Sequence, residues 1–221
     1  MTWVIAHRGA SFAETENTLP AFERAIADGA DFVEFDVQMS VDGEPVVFHD
    51  EDLDRLTPLT GPLRRRRAAE LREVAVATLD EVLDVVRGRI GVMAELKNAN
   101  RYRSFPFVER VVTKLSPEHV VISFQSRALL DARRLAPELR LVQHVGPRVS
   151  IRAAARYAWG VGFWDSAVTP RGLARARALG LATAVFTVND EARTRELVAL
   201  GVDGLFTDRP DRLRAVLRRP G

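Results

Sequence analysis

Short apolar runs of strand length alternate along the chain with longer stretches in which apolar residues recur every three or four positions. The runs that predict strands are 3–7, 32–39, 90–96, 120–124, 139–144, 160–164, 182–188 and 204–207, with 45–49 as a separate hairpin arm. Helix signals lie between them. Thr18 predicts an N-cap ahead of Phe22, Ala25 and Ile26, with Gly29 as the stop. Thr78-Leu79-Asp80-Glu81 is a capping-box pattern opening a helix whose apolar stripe is Leu79, Val82, Leu83 and Val86. Thr169-Pro170 opens another, which Gly180 ends. One helix-to-strand junction recurs at Ala178-Leu179-Gly180-Leu181 and Ala199-Leu200-Gly201-Val202, and Asp28-Gly29-Ala30 echoes it. Repeated strand-helix units favour parallel strands with helical crossovers, and this number of them favours a (β/α)8 TIM barrel over an open sheet.

The polar positions that interrupt the strands are concentrated where a barrel would gather them, at strand C-terminal ends. His7-Arg8, Glu34 and Asp36, Glu95 and Lys97, Ser123-Phe124, residues 186–189 and Thr207-Asp208 all lie there. In 32–39 the alternation puts Val33, Phe35 and Val37 on one face and Glu34, Asp36 and Gln38 on the other. Asp42-Gly43 is a two-residue hairpin signal, and a turn there sets Asp36 opposite His49, Cβ atoms roughly 5 Å apart. Glu34 follows about 6.6 Å along the same face. Two such carboxylates repel by about 4 kcal/mol at a separation of about 4 Å and an effective dielectric near 20, so they need a proton, a cationic side chain or a metal. Glu95 adds a third acid, sharing a face with Lys97. An all-oxygen set of this kind suits Mg²⁺ or Ca²⁺ better than zinc.

The chain has 221 residues, of which 47% are hydrophobic, enough to bury a substantial core in one domain, 1–221. The segment 51–77 shows no clear element pattern and reads as a short insertion beside the mouth. Its Arg64-Arg65-Arg66-Arg67 run reads as a solvated face. Thirty-two basic residues against 30 acidic ones give a formal charge of +2, no case for nucleic-acid binding. Cysteine is absent, which excludes disulfides and thiolate metal sites. The N-terminus shows no signal-peptide pattern, and no apolar run approaches the ~20 residues that span a bilayer. The default expectation is a cytoplasmic protein without a transmembrane segment.

The ordered set His7-Arg8-Gly9, Glu16-Asn17-Thr18, Glu34-x-Asp36, Asp42-Gly43, His49-Asp50, Glu95-x-Lys97, Thr187-Val188-Asn189 and Gly201-Val202-Asp203-Gly204, closing on Thr207-Asp208-x-Pro210, resembles the glycerophosphodiester phosphodiesterase family in its short, soluble bacterial form. The resemblance covers nearly the whole chain. It implies a barrel of the phospholipase C-like phosphodiesterase type, a small-molecule glycerophosphodiester substrate, and hydrolysis to glycerol 3-phosphate and an alcohol, as in glycerol and lipid metabolism. It also implies one divalent cation, Mg²⁺ or Ca²⁺ with Mn²⁺ as a third candidate, held by Glu34, Asp36 and Glu95. His7 and His49 are then the acid–base pair and Arg8 and Lys97 the phosphate-binding residues. Attack by a neighbouring glycerol hydroxyl or directly by water, and the choice of histidine as first base, stay open. The same residues also fit two other functions: lysophospholipase D-type cleavage on the same site, and a non-catalytic phosphodiester-binding module.

Phe186-Thr187-Val188-Asn189 stands where the family usually has Trp-Thr-Val-Asn, which keeps an apolar wall without the indole N–H. Phe124 and Phe186 are expected to form a substrate wall, with Trp164 beside them and Phe163 in the core. His119 and His144 fall outside the motifs and are read as structural or surface residues. Glu16 has two readings, as a partner steadying Arg8 or as a surface acid near the Thr18 cap. Asp208, preceding Arg209-Pro210, is read as a helix cap rather than a ligand.

Overall fold

A computed structural model describes residues 2–102, 106–146 and 149–218. Its strands are β1 (Trp3–His7), β2 (Phe32–Met39), β3 (Pro45–Val47), β4 (Gly91–Leu96), β5 (Val120–Ser123), β6 (Arg140–His144), β7 (Gly160–Trp164), β8 (Ala182–Phe186) and β9 (Gly204–Thr207). All but β3 run parallel in the order β1-β2-β4-β5-β6-β7-β8-β9, and β9 pairs back to β1, closing a (β/α)8 barrel. Closure sets Trp3 against Gly204 and Ala6 against Thr207. The helices are α1 (Leu19–Ala27), α2 (Ala68–Glu73), α3 (Leu79–Val86), α4 (Phe107–Val112), α5 (Ser126–Leu135), α6 (Ile151–Ala154), α7 (Pro170–Ala178), α8 (Glu191–Ala199) and α9 (Pro210–Arg218). Among the described residues, no helix is long and apolar enough to cross a membrane.

The cap signals act as expected. Thr18 Oγ1 accepts from the Ala21 amide, Thr78 and Glu81 exchange both capping-box bonds, and Thr169 caps α7 with Pro170 at its start. The outward faces of the strands then bury against the helices. Phe35 on β2 meets Phe22 of α1 edge-on at 5.8 Å, each fully buried and each contributing about 1.5–3 kcal/mol of apolar transfer. Inside the barrel the lower part is apolar: Ile5, Met93, Val120, Ile122, Val142, Ala184 and Phe206 fill it. Trp3 closes the N-terminal end against Phe32 (5.8 Å) and Trp159 (5.7 Å). The buried acids Glu34, Asp36 and Glu95 lie toward the opposite end.

Three expectations change. The hairpin pairs Val37 with Val47 and Gln38 with Val46, one residue away from the register that would face Asp36 with His49. The turn holds three residues rather than two: Ser40 and Glu44 close it, Gly43 donates back to the Ser40 carbonyl, and Gly43 takes φ +82°, the three-residue hairpin with a left-handed final position. Asp36 therefore bonds through its carbonyl to the Phe48 amide (2.9 Å), and His49 lies beyond the end of β3. Second, 51–77 is not patternless. It holds a 3-10 turn at Leu63–Arg65 and helix α2, packed on a small core of Val46, Phe48, Leu53, Leu63, Leu71 and Val76. Third, several strands stop one or two residues short of their predicted limits, leaving Phe124, Thr187 and Val188 in loops at the mouth.

Candidate active site

Adjacent strands place the site. In register, His7 on β1 neighbours Glu34 on β2, and Asp36 on β2 neighbours Glu95 on β4. A carboxylate oxygen from each of Glu34, Asp36 and Glu95 lies within 4.8 Å of the others, all three buried. Burial and mutual repulsion push Glu95 up to about 7 and Glu34 well above its ordinary range. Burial also works against Asp36, but Lys97, Arg8 and His49 overcome it and hold that carboxyl below the usual range. Lys97 Nζ sits 3.1 Å from Asp36 Oδ1 and 3.4 Å from Glu95 Oε1. Arg8 Nε lies 3.3 Å from Asp36 Oδ2 yet has no hydrogen-bond partner. Asn17 clamps Asp36 from the other side, donating to Oδ2 (3.0 Å) and accepting from the Asp36 amide (3.2 Å).

The turn after β1 is shaped for this. Arg8 takes φ +58°, and in that left-handed conformation its amide donates to Glu34 Oε2 (3.0 Å). A non-glycine residue there is strained by about 1–2 kcal/mol, a cost characteristic of functional turns. Gly9 follows at φ +82°, and a Cβ on it would stand 2.7 Å from the Ala21 backbone of α1. Glycine is the only residue that satisfies both conditions.

Each mouth histidine is fixed through Nδ1. His7 Nδ1 lies 2.8 Å from Asp208 Oδ1, and His49 Nδ1 lies 2.7 Å from Asp50 Oδ1. Burial raises Asp208, but bonds from His7, Asn189 and Ser11 bring it down to about 2; a bond from Arg55 lowers Asp50, with His49 adding to it. An ionised carboxylate only accepts, so Nδ1 carries the proton in both rings and Nε2 of the neutral ring is left with its lone pair. Burial and Lys97 push His49 below its ordinary value, against the pull of Asp36.

The predicted residues His7, Arg8, Glu34, Asp36, His49, Glu95 and Lys97 thus come together. Glu16 takes its first reading, accepting from Arg8 Nη1 at 2.8 Å. Asp208 is not the cap it was expected to be. Its two oxygens serve His7, Ser11 (3.1 Å) and Asn189 (2.6 Å). The available signal was barrel closure: the residue after the last strand lies beside the residue ending the first. Asp50, Asn17, Arg55 and Asn189 had no role assigned from sequence.

Across the mouth, Trp164, Phe124 and Phe186 form an aromatic group, with Trp164–Phe186 at 4.9 Å and Trp164–Phe124 at 5.5 Å. Phe163 is in the core, as expected. His144 is buried against Phe186 (4.2 Å) and Phe124 (4.7 Å), its Nδ1 unpartnered beside Gly162, where any Cβ would approach to 2.2 Å. Burial holds it down to about 3. His119 is half-buried and accepts from the Ser116 amide (3.2 Å).

The family model described as Glycerophosphoryl diester phosphodiesterase family matches residues 7–212. A glycerophosphodiester phosphodiesterase of Bacillus altitudinis is 32% identical over 238 residues, covering 96% of each chain. The structure of an Oleispira antarctica phosphodiesterase in complex with the product sn-glycerol-3-phosphate aligns at a TM-score of 0.91 and 28% identity, over 99% of this chain and 98% of that one. A glycerophosphodiester phosphodiesterase from Agrobacterium tumefaciens str. C58 aligns at 0.84 and 30% identity, over 97% and 100%. By this match along nearly its whole length, the chain belongs to the glycerophosphoryl diester phosphodiesterase family of phosphoric diester hydrolases.

Proposed function

We propose that the protein hydrolyses glycerophosphodiesters to glycerol 3-phosphate and an alcohol, with a divalent cation bound by Glu34, Asp36 and Glu95 and with His7 and His49 as the acid–base pair. One observation carries this reading: a single barrel mouth holds three converging carboxylates, two cationic side chains and two imidazoles, each imidazole fixed through Nδ1. The product bound by the Oleispira relative supports the substrate class.

The donor set fits a hard cation. It offers oxygens alone, and two of the three carboxyls are driven toward protonation by burial and by one another, the condition a divalent ion relieves. Mg²⁺, Ca²⁺ and Mn²⁺ are the candidates. When bound, the ion supplies Lewis-acid polarisation of a phosphoryl oxygen. Arg8 and Lys97, both pinned by Asp36, bind the non-bridging oxygens. One histidine, neutral, takes the proton of the attacking hydroxyl through Nε2, and the other, entering as the imidazolium, delivers its Nε2 proton to the departing alcohol oxygen. The cyclic-phosphate route and direct water attack make the same demands on these groups.

Phe124 and Phe186 wall the substrate. Phe124 and Trp164 are 38% and 49% exposed at the rim, which favours a second reading in which an acyl-bearing glycerol lies along them and a lysophospholipid is cleaved. The test is glycerol 3-phosphate release by purified, chelator-treated protein from glycerophosphocholine, glycerophosphoethanolamine and glycerophosphoglycerol, with each metal restored separately. Metal-dependent release is expected. Release of choline from detergent-dispersed lysophosphatidylcholine alone would install the second reading, and no turnover of either class would leave a phosphodiester-binding module.

A further inference from the structure

Arg55 is the point where the supports of His49 and Arg8 meet. Its Nη2 and Nη1 donate to Glu16 Oε1 (2.7 Å) and Oε2 (3.1 Å), and its Nε donates to Asp50 Oδ2 (2.6 Å). Glu16 Oε1 also receives Arg8 Nη1, and the other oxygen of Asp50 faces His49 Nδ1. One guanidinium therefore ties the carboxylate that orients the acid–base ring to the carboxylate that orients the phosphate-binding arginine. Bidentate and end-on bonds from one planar fork fix both acids in direction as well as distance. The side chain is 49% exposed, and ion pairs at such a surface add little to folding stability, so stability does not account for three converging bonds.

The segment carrying Arg55 is built to hold it. Leu53 is fully buried in the small core of the insertion, and the Leu53 amide donates to the Gly61 carbonyl. The Leu53 carbonyl accepts both the Thr57 amide (3.1 Å) and Thr57 Oγ1 (3.0 Å), while Asp54 accepts from the Gly61 amide (3.0 Å). Arg55 thus sits on a turn pinned on either side and leans across to Glu16, 39 residues away in sequence.

We propose that Arg55 is a positioning residue that couples the acid–base group His49 to the phosphate-binding group Arg8 through Asp50 and Glu16. The inference rests on the roles proposed above for those two residues. Its signature is a division of kinetic effects. Without Arg55, Asp50 turns away from its line with His49, which slows turnover. Glu16, no longer shared, closes harder on Arg8 and competes with the substrate phosphate, which raises KM.

The experiment is a pair of mutant cycles on the full-length, metal-loaded enzyme with its best glycerophosphodiester. Arg55→Met is expected to lower kcat roughly tenfold, the scale on which loss of an orienting partner acts, and to raise KM. In an Asp50→Asn background Arg55→Met should lower kcat no further, and in a Glu16→Gln background it should raise KM no further. Arg55→Lys should restore part of each. Assays are run well below the melting midpoint of every variant, so a folding defect shows in the midpoint and not in the cycles. Unchanged kcat and KM in Arg55→Met, or effects that multiply independently with those of Asp50→Asn and Glu16→Gln, would overturn the proposal. Since each variant is compared with active wild-type protein, a wild type inactive on every glycerophosphodiester would overturn the proposed function and this inference together, whereas an unchanged variant overturns the inference alone.

Discussion

Loading the carboxylate cluster with a divalent cation must expel protons, and the cluster's electrostatics set how many. At pH 7, Glu95 at about 7 is half protonated, Glu34 is raised and carries up to one more proton, and Asp36 is held ionised by Lys97 and Arg8. Because a ligating carboxylate must be ionised, binding should release about 0.5–1.5 protons per ion. The same competition makes affinity pH-dependent. Glu95 alone, two units above the solution at pH 5, should weaken binding about fiftyfold relative to pH 7. Calorimetric titration of chelator-treated protein in two buffers of different protonation enthalpy reads the proton count directly. Glu95→Gln should remove about half a proton from that count at pH 7 while weakening the site. Saturable binding with no proton release, or affinity untouched by Glu34→Gln, Asp36→Asn and Glu95→Gln, would place the ion elsewhere.

His144 supplies a stability test. Neutral and buried with its value near 3, against 6.5 in the unfolded chain, it contributes stability that is complete above pH 6.5 and is lost as pH falls from there toward 3. Between pH 7 and pH 5 that loss is at most about 2 kcal/mol. Urea unfolding of metal-free protein should show wild type losing that much more than His144→Leu over this interval, and parallel losses would refute the assignment. Asp208→Asn removes the ionised acceptor that keeps the proton on His7 Nδ1, and kcat should fall about a hundredfold or more with little change in KM; a loss under threefold in steady-state assays would sever His7 from that partner. Gly9→Ala meets both a positive φ and the α1 backbone and should cost about 2 kcal/mol or more in urea unfolding; a cost below about 0.5 kcal/mol would refute the steric argument.

The barrel is legible because apolar runs of strand length alternate with helical patterns, three of them opened by the caps Thr18, Thr78 and Thr169. The site was legible on β2 and β4 because period-two alternation puts Glu34 with Asp36 and Glu95 with Lys97, and neighbouring parallel strands bring the two pairs into register. The hairpin register failed on one residue. Asp-Gly in that position signals a two-residue turn as readily as the three-residue turn observed, and only packing of Phe48 and Val46 into the insertion's core separates them. Asp208 reads as a cap because Asp followed by x-Pro is a helix-start pattern, whereas its tie to His7 spans 201 residues and leaves no local mark. Arg55 was invisible for a different reason. An exposed arginine among many carries no local mark, and its role depends on where two distant acids are delivered.

Charge balance explains why so many ions share one buried mouth. Within the innermost cluster, Glu34, Asp36 and Glu95 stand against Arg8 and Lys97, so these five side chains fully ionised carry one net negative charge, and burial drives Glu34 and Glu95 toward protonation instead. The divalent ion proposed for this cluster would reverse the count to one net positive charge, and a phosphodiester, a monoanion, would then bring ion and cluster to neutrality. Hydrolysis would break that balance. Glycerol 3-phosphate is a monoester carrying about −1.5 to −2 at pH 7, so the product leaves the mouth over-filled with negative charge. In a low-dielectric pocket such an excess is costly, and it favours departure of the product over its retention. On the proposed function, phosphodiester is expected to bind weakly before the cation and product weakly relative to its charge, so that the same five charged side chains favour substrate entry and product exit.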